Sequence, residues 1–145
     1  MSLADQVTAK IQRLLANRFG SVRIDKGGDF VVTLESAVVF VRAREWGDDQ
    51  AIVVIRCPLV KDVPMTDALC RWVAVEGQNY FLGHARLNPN KDGATAWIYF
   101  ENTILADDLD ESELMESLDA VAIVSNRLDN ELHQRFGGQM FGSDD

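Results

Sequence analysis

Apolar residues near the start of the chain recur at three- and four-residue steps. Leu3, Val7, Ile11, Leu14, Leu15 and Phe19 fall on one stripe, the period of an amphipathic helix. A helix over Leu3–Phe19 is predicted, with Ser2 as its N-cap and Gly20 just past its end. The pattern then switches to strands. Residues 22–25, Phe30–Leu34, Ala37–Trp46 and 50–57 are rich in β-branched and aromatic side chains. Lys26-Gly27-Gly28-Asp29 and Gly47-Asp48-Asp49 supply turns, and Pro58 is expected to end the regular pairing of the fourth strand. Residues 66–76 read as a helix capped by Thr66 and Gly77, with Leu69, Val73 and Trp72 toward the core. Residues 80–87 and 94–102 form a hairpin across the loop 88–93. The helical period returns over Glu111–Phe136, where Leu114, Leu118, Val121, Ser125, Leu128, Leu132 and Phe136 share a stripe widened by Ile123 and Val124. Asp108 with Glu111, or Asp110 with Glu113, forms a capping-box-like start, and Gly137-Gly138 stops the helix. The expected fold is α+β: an antiparallel β-sheet flanked by helices, in the order α-β-β-β-β-α-β-β-α. One domain is expected over residues 1–136, followed by a flexible acidic tail over 137–145.

Strand residues alternate between faces. One set is almost wholly apolar: Val39, Val41, Ala43, Val53, Ile55, Cys57, Phe81, Gly83, Ala85, Leu87, Ala96, Ile98 and Phe100. This face is expected to carry the helices. The other set mixes aromatics, aliphatics and arginines: Phe40, Arg42, Arg44, Ile52, Val54, Arg56, Leu82, His84, Arg86, Trp97, Tyr99 and Glu101. A solvated face is ordinarily polar throughout. Arginine stems lying over the aromatics, with Glu35, Glu45 and Glu101 as ion partners, are one explanation. A dimer or peptide-binding surface is another, since aromatic and arginine anchors are enriched at interfaces. A small-molecule site is the third.

Charge narrows the partners. The 145 residues carry 14 basic and 23 acidic side chains, a net charge of −9. That disfavours nucleic acid, which needs a basic footprint. No apolar run reaches the roughly 20 residues of a membrane span. The N-terminal sequence lacks the pattern of a signal peptide, and the two cysteines form no CxxC pair, so a reducing, cytoplasmic setting is expected. Both Cys57 and Cys70 read as buried structural thiols rather than nucleophiles. His84 and His133 lack metal-ligand spacing, so no metal and no cofactor is expected. Neither phosphate-loop nor nucleophile-elbow motifs occur, and no catalytic residue is assigned. The acidic run 107–116 lacks EF-hand spacing and suits a helix N-terminus.

The helix ending at Gly20, the strand pair Phe30–Leu34 and Ala37–Trp46, the strand running into Pro58-Leu59-Val60, the helix 66–76 and the closing helix Glu111–Phe136 together resemble the type III secretion chaperone-like fold, in particular its YbjN-like branch. The resemblance covers roughly residues 3–136 and rests on apolar patterns. It implies a twisted antiparallel sheet with packed helices, no catalysis, and in the secretion chaperones a homodimer that holds an extended segment of a client protein. The expected function is therefore a non-enzymatic, chaperone-like module that binds a protein or peptide client as a homodimer. Phe40, Ile52, Val54, Leu82, Trp97 and Tyr99 are the expected apolar contacts, with Arg42, Arg44, Arg56 and Arg86 orienting acidic groups. The alternative is a regulatory domain that binds a small molecule on the arginine-rich face.

Overall fold

The computed structural model describes residues 1–142. Seven strands, β1 (Arg23–Ile24), β2 (Phe30–Leu34), β3 (Ala37–Trp46), β4 (Gln50–Pro64), β5 (His84–Pro89), β6 (Thr95–Leu105) and β7 (Gln139–Met140), form one antiparallel sheet. Its order is β1-β2-β3-β4-β6-β5, with β7 paired to β4. Three helices accompany it: α1 (Leu3–Phe19), α2 (Asp67–Ala74) and α3 (Glu111–Phe136).

The apolar face expected to carry helices does so. Val7, Ile11 and Leu15 of α1 and Leu114, Leu118, Val121, Leu128 and Leu132 of α3 are buried in one core with Val39, Val41, Val53, Ile55, Cys57, Ile98 and Phe100. Each large apolar side chain so buried contributes about 1.5–3 kcal/mol. Caps set the helix starts. Ser2 and Asp5 form a reciprocal capping box at α1. Thr66 accepts from the Leu69 amide at α2 (3.1 Å), and Asp110 accepts from the Glu113 amide at α3 (2.7 Å).

Four expectations need correction. The regular pairing of β4 does break just after Pro58, but the strand does not end at residue 57 and runs on to Pro64. The register shifts between Pro58 and Val60 and again between Val60 and Val63, irregularities that absorb a residue without an amide proton. Gly77 is not a helix cap: α2 ends at Ala74, and Gly77 sits in a 3-10 turn where a Cβ would lie 2.7 Å from the Ala85 Cβ. The strand expected from Tyr80 begins only at His84, so Phe81 and Leu82 do not alternate, and Phe81 is fully exposed instead of inward. The tail is not loose over its first part. Gln139 and Met140 pair with Lys61 and Val60, while the acidic end of the expected tail, residues 143–145, lies outside the described residues.

Gly83 explains the late start of β5. Its φ is +108°, and a Cβ there would meet the Phe100 ring at 2.7 Å and the Glu101 carbonyl at 2.8 Å. Gly83→Ala is expected to cost about 2–3 kcal/mol in urea unfolding through combined strain and overpacking. Gly93→Ala, at φ +71° with open space around it, is expected to cost about 1 kcal/mol from conformation alone.

Candidate functional site: the outward sheet face

With all three helices contributing to one core, the opposite face of the sheet is built from cross-strand rows. Phe40, Arg56, Glu101 and His84 stand in successive register across β3, β4, β6 and β5. Arg42 opposes Val54, which opposes Thr103, and Arg44 opposes Ile52. On the other side, Pro58 opposes Tyr99, which opposes Arg86. Register alone therefore assembles arginines beside apolar side chains in the middle of the sheet.

Two adjoining hollows result. One, of about 190 Å³, lies among Phe40, Arg44, Ile52, Val54, Arg56 and Arg86. The other, of about 270 Å³, lies among Phe40, Arg56, Pro58, Trp97 and Tyr99. Trp97 and Tyr99, two residues apart on β6, stack with ring centroids 5.9 Å apart. The Arg56 guanidinium lies 5.5 Å from the centre of the Tyr99 ring, a cation–π contact.

Two of the four arginines are committed. Arg42 pairs with the buried Asp29 carboxylate and also donates to the Gly27 carbonyl. Arg86 lies 3.2 Å from Glu101, which also stands 3.4 Å from His84 and is only 5% exposed. Arg44 and Arg56 have no carboxylate partner among the described residues. The expected partners Glu35 and Glu45 form no such pair there, and Asp29 takes that role for Arg42. Four arginines thus face two carboxylates around the smaller hollow, on a chain whose net charge is −9.

Nine of the ten residues expected to contact a partner meet here: Phe40, Arg42, Arg44, Ile52, Val54, Arg56, Arg86, Trp97 and Tyr99. Leu82 does not. It precedes β5 and lines a separate apolar hollow with Tyr80, Phe81, Ala120, Ile123 and Val124 beside α3. Two members of the site were missed. By sequence pattern Asp29 belongs to a turn and Phe141 to the tail. Phe141 packs against Phe40 (centroids 6.1 Å) and Trp97 (6.0 Å).

The thiols lie away from this face. Cys57 is buried, and burial pushes its pKa up to about 11. Cys70 is exposed rather than buried, because α2 turns Leu69 and Trp72 inward. Among the described residues, no group of three or more His, Cys, Asp or Glu side chains is placed to hold a metal ion. None of their helices is long and apolar enough to cross a membrane.

Comparison with known proteins adds to this geometry. The sequence profile of a family described as T3SS (YopN, CesT) and YbjN peptide-binding chaperone 1 matches residues 2–144. A search of curated proteins finds no match. Several solved structures share the fold. The Yersinia pestis type III secretion chaperone SycH, solved in complex with a stable fragment of YscM2, is 14% identical with a TM-score of 0.54, over 84% of this chain and 98% of its own. An uncharacterized protein from Methanothermobacter thermautotrophicus is 18% identical with a TM-score of 0.58, over 90% and 99%. A chain of the ExsC–ExsE complex is 20% identical with a TM-score of 0.58, over 99% and 100%. At these identities the likeness shows the fold alone.

The two thiols should differ in accessibility to reagents. With a thiol-reactive dye at pH 8, one equivalent per chain is expected to react quickly, and Cys70→Ser should remove it. Cys57 should react only when urea unfolds the core, since desolvation holds it as the unreactive thiol.

Proposed function

The chain belongs to the family of T3SS and YbjN peptide-binding chaperones, and on that basis we propose that it holds an extended segment of a partner protein on the outward face of its sheet, as a homodimer. The family is one of peptide-binding chaperones, not of enzymes. One observation carries the placement. The face opposite the helices keeps Phe40, Ile52, Val54, Trp97 and Tyr99 only partly covered, beside an excess of arginine. Apolar side chains at that depth favour binding through desolvation. Arg44 and Arg56 would select acidic groups and fix register.

The second part of the proposal concerns self-association. Phe81, Leu82 and Ile123 are exposed apolar side chains gathered beside α3, on the helix-bearing side. A dimer through this patch leaves the outward face open, so pairing and partner binding do not compete.

The small-molecule alternative draws less from the geometry. Arg42 and Arg86 are already bound to Asp29 and Glu101, so half of the arginine cluster is spent before any ligand arrives.

Two experiments test these statements. Peptides selected from a random library on the wild-type chain should lose at least ten-fold in affinity on Trp97→Ala with Tyr99→Ala, with the far-ultraviolet spectrum unchanged. Loss of that spectrum would instead place the two rings in the core. In light scattering after size-exclusion chromatography, the wild type should run as a dimer and Phe81→Asp as a monomer. A wild-type monomer at high concentration would end the dimer proposal.

A further inference from the structure

The chain's own C-terminal segment forms one wall of the larger hollow on the outward face, through Phe141. After α3 ends at Phe136, Gly137 and Gly138 take φ of +85° and +79° and turn the chain back toward the sheet. Gln139 and Met140 then pair with Lys61 and Val60 on the edge of β4. The Phe141 amide donates to the Leu59 carbonyl at 3.4 Å. This brings the Phe141 ring between Phe40 and Trp97. Edge pairing plus one aromatic anchor in a pocket is the way an extended peptide binds a sheet.

Resting on the reading of this face as the partner surface, we infer that the segment 138–141 is a built-in strap that occupies the partner's place. The groove accepts an extended partner segment that pairs with β4 at Leu59–Lys61, sets an aromatic side chain between Phe40 and Trp97, and carries an acidic residue for Arg56. Three observations specify that occupant. Beyond its pairing with β3, the edge of β4 is met among the described residues by β7 at Val60 and Lys61 and by the Phe141 amide at Leu59. The pocket is lined by the aromatic rings of Phe40, Trp97, Tyr99 and Phe141, with Pro58, Asp25 and Asp29 completing it. Arg56 borders it with no carboxylate partner among the described residues.

The strap is a competitor with a large advantage. Tethered through two glycines, it acts at an effective concentration on the order of millimolar or above. A partner must outbid it or arrive when it is displaced. Its seat is also narrow. A Cβ on Gly138 would lie 2.6 Å from the Lys61 carbonyl and 2.8 Å from Val63, so Gly138→Ala unseats the strap without altering any groove residue.

The test uses the full chain and a fluorescein-labelled peptide with the sequence of residues 138–145, followed by anisotropy. Wild type is expected to bind weakly. Gly138→Ala and Phe141→Ala should each bind at least ten-fold more tightly, by removing the competitor in two independent ways. Adding Trp97→Ala to Phe141→Ala should reverse the gain, and a peptide with alanine in place of its phenylalanine should not bind. The inference is overturned if neither variant binds more tightly than wild type, or if the alanine peptide binds equally well. A gain that comes with the loss of a dimer also overturns it, because the strap would then be exchanged between copies. Library peptides that depend on Trp97 and Tyr99 in the wild type would leave the reading of the face standing even if the strap proves inert. Loss of both signals ends both.

Discussion

Strand β4 is the constraint on which the rest of the molecule depends. It has 15 residues, far longer than an ordinary strand, and its interior position requires a partner for the backbone groups on both of its edges. β6 runs along one edge from Ile52 to Pro64. The other edge is divided. β3 serves residues 50–56, and β7 serves Val60 and Lys61. The C-terminal segment is therefore a piece of the sheet's own hydrogen bonding as well as a cover for the aromatic pocket. Structure and site meet at the same few residues.

The outward face shows how an acidic chain can concentrate positive charge where it is useful. Asp29 and Glu101 are buried beneath Arg42 and Arg86. Such pairs anchor guanidinium stems in fixed positions, at the cost of desolvating both partners. Arg44 and Arg56 are left to face outward from an ordered platform.

Elements with a long, unbroken period were legible in the sequence. The stripe of Val7, Ile11 and Leu15 and the run from Leu114 to Leu132 specify helices, since each buried position reinforces the same period. The alternation along β3 likewise placed Phe40, Arg42 and Arg44 on one face. What escaped had a physical reason in each case. Pro58, Leu59 and Val60 are buried in succession, so β4 loses its alternation at the bulges and reads as if it had ended. Tyr80-Phe81-Leu82 has strand composition, yet the positive φ of Gly83 reverses the chain there and carries Leu82 to the other side of the molecule. β7 is two residues long and exists only through a partner strand some eighty positions away. Asp29 looked like a turn residue because its ion partner lies across the hairpin on β3.

The kinks in β4 have a bearing on how the sheet ends. A straight strand of this length with a bare edge is a template onto which another chain can add, and from there a sheet can grow between molecules. Here Pro58 and Pro64 withhold amide protons, two register shifts bend the ribbon between them, and Asp62 adopts a φ of +54°. The stretch that most needs an edge partner is thereby twisted out of the flat geometry that a propagating fibril requires. The edge is short and bent, and the chain's own β7 covers part of it.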